Sequence, residues 1–151
     1  MEITRSPLRA VRLGRLIFLG FLAYMSIAPE PAQAPHINPI RLSGSVSGWS
    51  RAHVLYVALW DEGGFLKTPV RQIRIDPGAV PEFQFQIPHG RWALSAFEDT
   101  NGNGILDMGA IGPNEPYGFW RSFHAWRKPR FVDVASQIDR DTAGVAITLH
   151  K

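Results

Sequence analysis

The sequence predicts an all-β fold, a single antiparallel β-sandwich of about seven strands. Three observations lead there. Apolar and polar residues alternate with period two in run after run, which places successive side chains on opposite faces of a strand. Pairs and triplets of Gly, Pro, Asn and Asp separate those runs at short spacing. After residue 34, no ten-residue stretch carries the helical period of about 3.6 residues.

The elements follow in chain order. Leu42, Gly44 and Val46 alternate with Ser43, Ser45 and Ser47, a strand with one wet face. Val54 to Trp60 is apolar on both faces, as expected of a central strand covered by layers on either side. Glu62-Gly-Gly64 then turns the chain, and Ile73 and Ile75 flank Arg74 in the next strand. Asp76-Pro-Gly78 is a second turn, after which Phe83, Phe85 and Ile87 alternate with Glu82, Gln84 and Gln86. Pro88-His-Gly90 introduces Trp92 to Phe97, again apolar on both faces and therefore central. Asn101-Gly-Asn-Gly104 turns the chain once more, and Val145, Ile147 and Leu149 alternate with Ala146 and Thr148. Strands this short and this regularly spaced fit a sandwich of immunoglobulin-like or transthyretin-like kind. Residues 109–129 carry no strand pattern and form the one long irregular segment, of the sort usually kept for function.

The first 34 residues differ. Arg5, Arg9, Arg12 and Arg15 precede an apolar run from Leu16 to Ala28, and Pro29 to Ala34 is small and polar. That is the layout of a signal peptide, residues 1–34, ahead of a sandwich domain at 35–151. The apolar run is shorter than the roughly 18 residues of a spanning helix. Ala32-Gln33-Ala34 supplies small residues for cleavage, and Pro35 follows them. The expected location is periplasmic or secreted, with no membrane attachment once the leader is removed. With no cysteine in the chain, neither a disulfide nor a lipid-modified cysteine is available.

The leader also accounts for much of the positive charge. The chain carries 16 Lys and Arg against 13 Asp and Glu; without the leader, twelve basic face eleven acidic residues, a net charge of about +1. A nucleic-acid partner is not expected on that balance. The local run from Arg121 to Arg130 reads as a solvated loop.

The stretch Glu98-Asp-Thr-Asn-Gly-Asn-Gly-Ile-Leu-Asp107 sets oxygen-bearing side chains at alternate positions around two glycines. Calcium takes six to eight oxygens, and acidic loops supply them in this pattern. Asp99, Asn101 and Asn103 fall at positions one, three and five, Gly104 at six, the Ile105 carbonyl at seven and Asp107 at nine. The twelfth position is Ala110, so Glu115 is the candidate for the closing carboxylate. A bare hairpin, with Gly102 and Gly104 at positive φ and the Asn and Asp heads on the turn's own amides, fits the same residues.

Catalysis finds less support. The chain has no G-x-S-x-G and no H-E-x-x-H, and His36, His53, His89, His124 and His150 show no ligand spacing. Asp99, Asp107 and Glu115 offer carboxylates of the glycosidase type, yet they sit among Asn and Gly rather than in the apolar surroundings that raise an acid's pKa. Tyr117, Phe119, Trp120, Phe123 and Trp126, with Arg121 and Arg127 beside them, supply rings that stack on a carbohydrate or peptide, or that fold back to cap the sandwich.

Four ordered motifs carry a resemblance: Pro88-His-Gly-Arg-Trp92, Phe97 to Asp107, Gly112-Pro-Asn-Glu-Pro-Tyr-Gly-Phe119 and Pro129-Arg-Phe-Val-Asp133. Together they resemble a bacterial exported family, domain of unknown function 2141, with its F-x-D-x-N-x-N-G-x-L-D core. This chain departs from the family pattern at Trp92, around Gly112-Pro113 and at Trp120. The resemblance implies export and a transthyretin-like sandwich, and it implies no activity. The expected function is therefore an exported, non-catalytic module of the cell envelope with a calcium-stabilised loop. The alternative is a small hydrolase acting on cell-envelope carbohydrate.

Overall fold

The computed structural model describes residues 38–123 and 127–151. The expected signal peptide at 1–34, its cleavage site, His36, His124 and Trp126 lie outside the described residues. The described chain is almost wholly β. Its strands are β1 (Ile40–Ser47), β2 (Val54–Trp60), β3 (Arg71–Ile75), β4 (Glu82–Ile87), β5 (Gly90–Asp99), β6 (Tyr117–Phe119), β7 (Ser136–Ile138) and β8 (Thr142–Thr148). A single turn of helix, α1 (Phe131–Val134), precedes β7. Among the described residues no helix is long and apolar enough to cross a membrane.

Two sheets face each other, as the period-two pattern requires. The smaller runs β4-β1-β8; the larger runs β3-β2-β5-β6, with β7 also on β5. The ten-residue β5 is long enough for two short partners besides β2, β7 at Gly90 to Trp92 and β6 at Ser95 to Phe97. Between the sheets lie Leu42, Leu55, Leu59, Ile87, Leu94 and Ile147, all fully buried. The two-faced apolar runs are explained by a second layer. Ala93, one residue out of phase with Leu94, lies with Phe131, Val134 and Ala135, and Trp60, Phe65, Phe119 and Phe123 pack on that cluster.

Two findings differ from the sequence expectation. One strand pair is parallel: β1 runs alongside β8 in the same direction, with a register shift between Leu42 and Gly44. Alternation reports which face a residue occupies and carries nothing about the direction of the partner, so the sequence pattern could not reveal it. Gly44 makes the pairing fit, because a Cβ there would stand 1.9 Å from the Val145 carbonyl oxygen. The second difference is β6, a strand inside the stretch 109–129 that was expected to be irregular. Three residues centred on a glycine are too short to show a period.

β6 also joins the sheets. Tyr117 and His150 exchange backbone hydrogen bonds of 3.0 and 2.9 Å, which ties the edge of the larger sheet to the chain just beyond β8. That side of the sandwich is sewn shut, whereas on the other, among the described residues, β3 and β4 end their sheets.

Asp133 organises the approach to α1. Its carboxylate accepts both Arg127 guanidinium hydrogen bonds, at 2.7 and 3.1 Å, and the Arg130 amide at 2.8 Å. The Arg127 hydrogen bond, then the Arg130 amide, hold the Asp133 carboxyl far below its ordinary value of 3.8. A folded-state pKa below the unfolded one adds stability above the unfolded value and loses it as pH falls through that value toward the folded one. Acid titration should therefore destabilise the wild type from about pH 5 downward. Asp133→Asn should flatten that acid limb, and an unchanged limb would show that Asp133 is not a group that drives it.

Candidate functional site

The loop after β5 is built around one buried carboxylate. Asp99 is the last residue of β5, paired with Val54 of β2, and is 3% exposed. Its Oδ1 accepts the amides of Gly102 at 2.8 Å and Asn103 at 3.1 Å, and its Oδ2 accepts the amide of Gly104 at 2.8 Å. Collecting three successive N–H groups on one side chain bends the chain tightly, and Gly102 and Gly104 take φ of 78° and 79° to allow it. Asn101 and Asn103 repeat the device on a smaller scale, their Oδ1 atoms accepting the amides of Asn103 and Ile105. Their Nδ2 groups both reach Asp107 Oδ2, at 2.5 and 3.0 Å. Three polar heads from alternate positions thus meet at one point.

Glu115 braces the loop from behind. It is 2% exposed, just before β6, and its backbone neighbour Pro116 accepts the Glu98 amide at 2.9 Å. Glu115 Oε1 accepts the Thr100 amide at 2.7 Å, and Oε2 accepts the Asp107 amide at 3.2 Å. One carboxylate therefore clamps the two ends of the loop together. A cation at the Asp99 loop would have to share Glu115 with those amides. Among the described residues no three His, Cys, Asp or Glu side chains gather as a metal-holding group. What the loop offers a cation is mainly neutral oxygen: two amide side chains and the Ile105 carbonyl, beside Asp99 and Asp107. That set fits calcium, which accepts carbonyl oxygens in flexible geometry, and fits poorly the softer metals that require nitrogen or sulfur.

A family model described as an uncharacterised protein conserved in bacteria, domain of unknown function 2141, matches residues 51–145. The chain belongs to this family. No curated protein and no solved structure matches the chain. The family match spans β2 through β7, and so contains the whole of the Asp99 loop and its Glu115 brace.

Beside the loop lies a third buried acid, to which sequence reasoning gave no role. Glu98 is 2% exposed and accepts the Ser50 amide at 3.1 Å, the Ser50 hydroxyl, and His53 Nδ1 at 3.0 Å. Burial alone would push its carboxyl up; the hydrogen bonds from Ser50 and His53 outweigh burial and bring it below its ordinary value. Arg51 between them takes a left-handed φ of 65°. Serine, histidine and glutamate here do not form a nucleophile relay. Both donors converge on the Glu98 carboxylate, and Ser50 and His53 share no hydrogen bond among the described residues, so the serine-to-imidazole contact of such a relay is not made. The group holds the β1–β2 turn against β5. The clue in the sequence was a glutamate directly after the apolar run that ends at Phe97.

The aromatic residues expected to form one surface are divided by β6. Phe119 lies against Phe65 at 6.2 Å and, with Phe123, packs on the outer cluster around Phe131. Arg127 stands 5.0 Å over the Phe123 ring. Tyr117 meets Phe119 edge-on at 6.3 Å. Trp120 packs against the main core instead, and its amide donates to the Leu94 carbonyl at 3.0 Å. Arg121 is exposed, and Trp126 lies outside the described residues. Much of this aromatic area caps the family domain's larger sheet.

Proposed function

We propose that this member of the family is an exported, non-catalytic binding or structural module of the cell envelope, periplasmic or secreted, whose Asp99 loop is stabilised by calcium. The observation that carries the reading is the gathering of two carboxylates and two amide side chains in one tight loop, with Asn101 and Asn103 both reaching Asp107. Calcium would require the two amide heads to turn, so that oxygen replaces the Nδ2 groups that now donate to Asp107. Asp99, Asn101, Asn103, Asp107 and the Ile105 carbonyl would hold the ion, with Glu115 behind them. The ion supplies an electrostatic cross-link between the end of β5 and the approach to β6. Loop carboxylates occupied by backbone amides, away from any apolar pocket, support the non-catalytic reading. A net charge near +1 without the leader supports a carbohydrate or peptide partner over nucleic acid.

A melting-temperature titration tests the loop. A ligand that binds only the folded state adds RT ln(1 + [Ca]/Kd), about 1.4 kcal/mol at a tenfold excess over Kd. With so few formal charges, Kd should fall at about 10⁻⁴ to 10⁻³ M. Asp107→Asn keeps the shape of the loop and removes one of its charges, so the climb with calcium should shrink or vanish. Magnesium should replace calcium badly, since it demands tight octahedral geometry. A flat response after chelation and dialysis would mean that the loop is a turn sufficient in itself.

A further inference from the structure

The turn between β7 and β8 forms a cleft with Trp120, and nothing in the proposed calcium loop accounts for it. The cleft has a volume of about 680 Å³ and is lined chiefly by Trp120, Gln137, Asp139, Arg140, Asp141 and Thr142. Its volume falls in the range of roughly 300–1,000 Å³ of small-molecule sites. Its lining does not resemble an ordinary apolar pocket: a half-buried tryptophan, packed on one side against the core, shares it with charged, hydroxyl and amide side chains. Each carboxylate is already steadied through one oxygen. Asp141 Oδ1 accepts the Arg41 amide at 2.9 Å, and Asp139 Oδ1 accepts the Gln137 side-chain amide at 2.7 Å. The Thr142 hydroxyl donates to the Arg140 carbonyl at 2.9 Å, fixing the backbone of the turn. Arg140 stands between two aspartates in sequence, yet among the described residues its guanidinium forms an ion pair with neither. Opposite charges that do not pair with each other can each bond a ligand.

We infer that this cleft is a subsite for a neutral oligosaccharide, one pyranose ring lying on Trp120 and its hydroxyls bonded by Asp139, Arg140 and Asp141. The chemistry of the lining selects this class. A sugar ring has an apolar C–H face, which an indole matches at low entropic cost, and a rim of hydroxyls that both donate and accept. Carboxylates accept from that rim and a guanidinium donates to it, frequently two bonds at a time. An anionic sugar is disfavoured because two carboxylates outnumber the single guanidinium, and like charges across an interface are costly. An apolar ligand would leave all three charged groups without partners. Because the cleft is open at a turn, it fits a unit of a longer polymer as readily as a free sugar.

This inference rests on the binding-module reading and assigns it a ligand class and a place. The test uses the purified chain, tryptophan fluorescence and calorimetry with three neutral probes, cellohexaose, maltohexaose and chitohexaose, and one acidic probe, hexagalacturonate. At least one neutral probe is expected to bind and to perturb tryptophan emission. Arg140→Ala and Asp139→Asn should each weaken it tenfold or more while leaving the melting temperature in place, since both side chains are exposed. Trp120→Phe, which keeps a ring against the core, should weaken it less than Trp120→Ala. The inference is overturned if no neutral probe binds, if only hexagalacturonate binds, or if Arg140→Ala and Asp139→Asn bind as the wild type does. Calcium-dependent melting is read on the same samples, so a cleft without sugar affinity and a loop without calcium give different results.

Discussion

Gly118→Ala is expected to destabilise the domain by about 3 kcal/mol, the upper end of the usual cost of overpacking a filled site. Gly118 is the middle residue of β6, where the chain pairs with Ala96 on one side and meets β8 on the other. A Cβ at this position would stand 2.1 Å from the Thr148 carbonyl oxygen and 2.9 Å from its carbon. Those are backbone atoms of β8, and they cannot swing aside as the end of a side chain can. Relief requires β6 and β8 to part, which breaks the Tyr117–His150 hydrogen bonds that join the sheets. Gly112→Ala is the matched control: a Cβ there meets nothing within 4 Å, and the change should stay within about 0.5 kcal/mol. Urea unfolding of the two variants decides the matter. Equal midpoints would show that the sheets are not joined at this seam.

Glu115→Ala should cost a similar amount, about 3 kcal/mol, for a different reason. It removes the acceptor of the Thr100 and Asp107 amides in a place where Glu115 is 2% exposed, and hydrogen bonds to a charged group contribute roughly 1.5–3 kcal/mol each. Glu115→Gln should fall between the variant and the wild type. It retains one oxygen and presents an NH₂ to a donor at the other. The measurement is denaturant unfolding with calcium chelated, so that only the brace is tested. Amide exchange at Thr100 and Asp107 should quicken in Glu115→Ala while core amides of β2 and β5 open only with the whole domain. Unaltered exchange at those two residues would remove Glu115 from its role as a clamp.

The long strands were legible because their period is a direct image of burial. Phe83, Phe85 and Ile87 point inward and Glu82, Gln84 and Gln86 outward, as their spacing requires. The doubly apolar β2 and β5 likewise announced a second covering layer, which proved to be Phe65, Phe119, Phe123 and Phe131. Pairing direction was not legible, because the parallel β1–β8 contact depends on partners at opposite ends of the domain. The loop's inward turns were visible in the Asn-Gly spacing. The fate of Glu115 was not: a carboxylate eight residues beyond Asp107 can face an ion or a backbone amide, and only the position of β6 decides which. Glu98 opened the Asp99 stretch and His53 stood among the histidines, yet their partnership was not legible, because they meet only after β2 and β5 have paired.

The parallel pair has a consequence for the order in which the domain assembles. The Ser47 and Thr148 side chains hydrogen-bond across 101 positions of chain, whereas β2, β3 and β5 find one another over far shorter separations. Closing so large a loop is entropically costly, and folding slows as such distant contacts accumulate. The larger sheet can therefore take shape while β1 holds β4 alone and its other edge stands bare. During that interval the bare edge is a template for any extended segment that arrives first. β8 completes the smaller sheet last, and the time it takes to arrive sets how long a nascent chain stays open to the wrong neighbour.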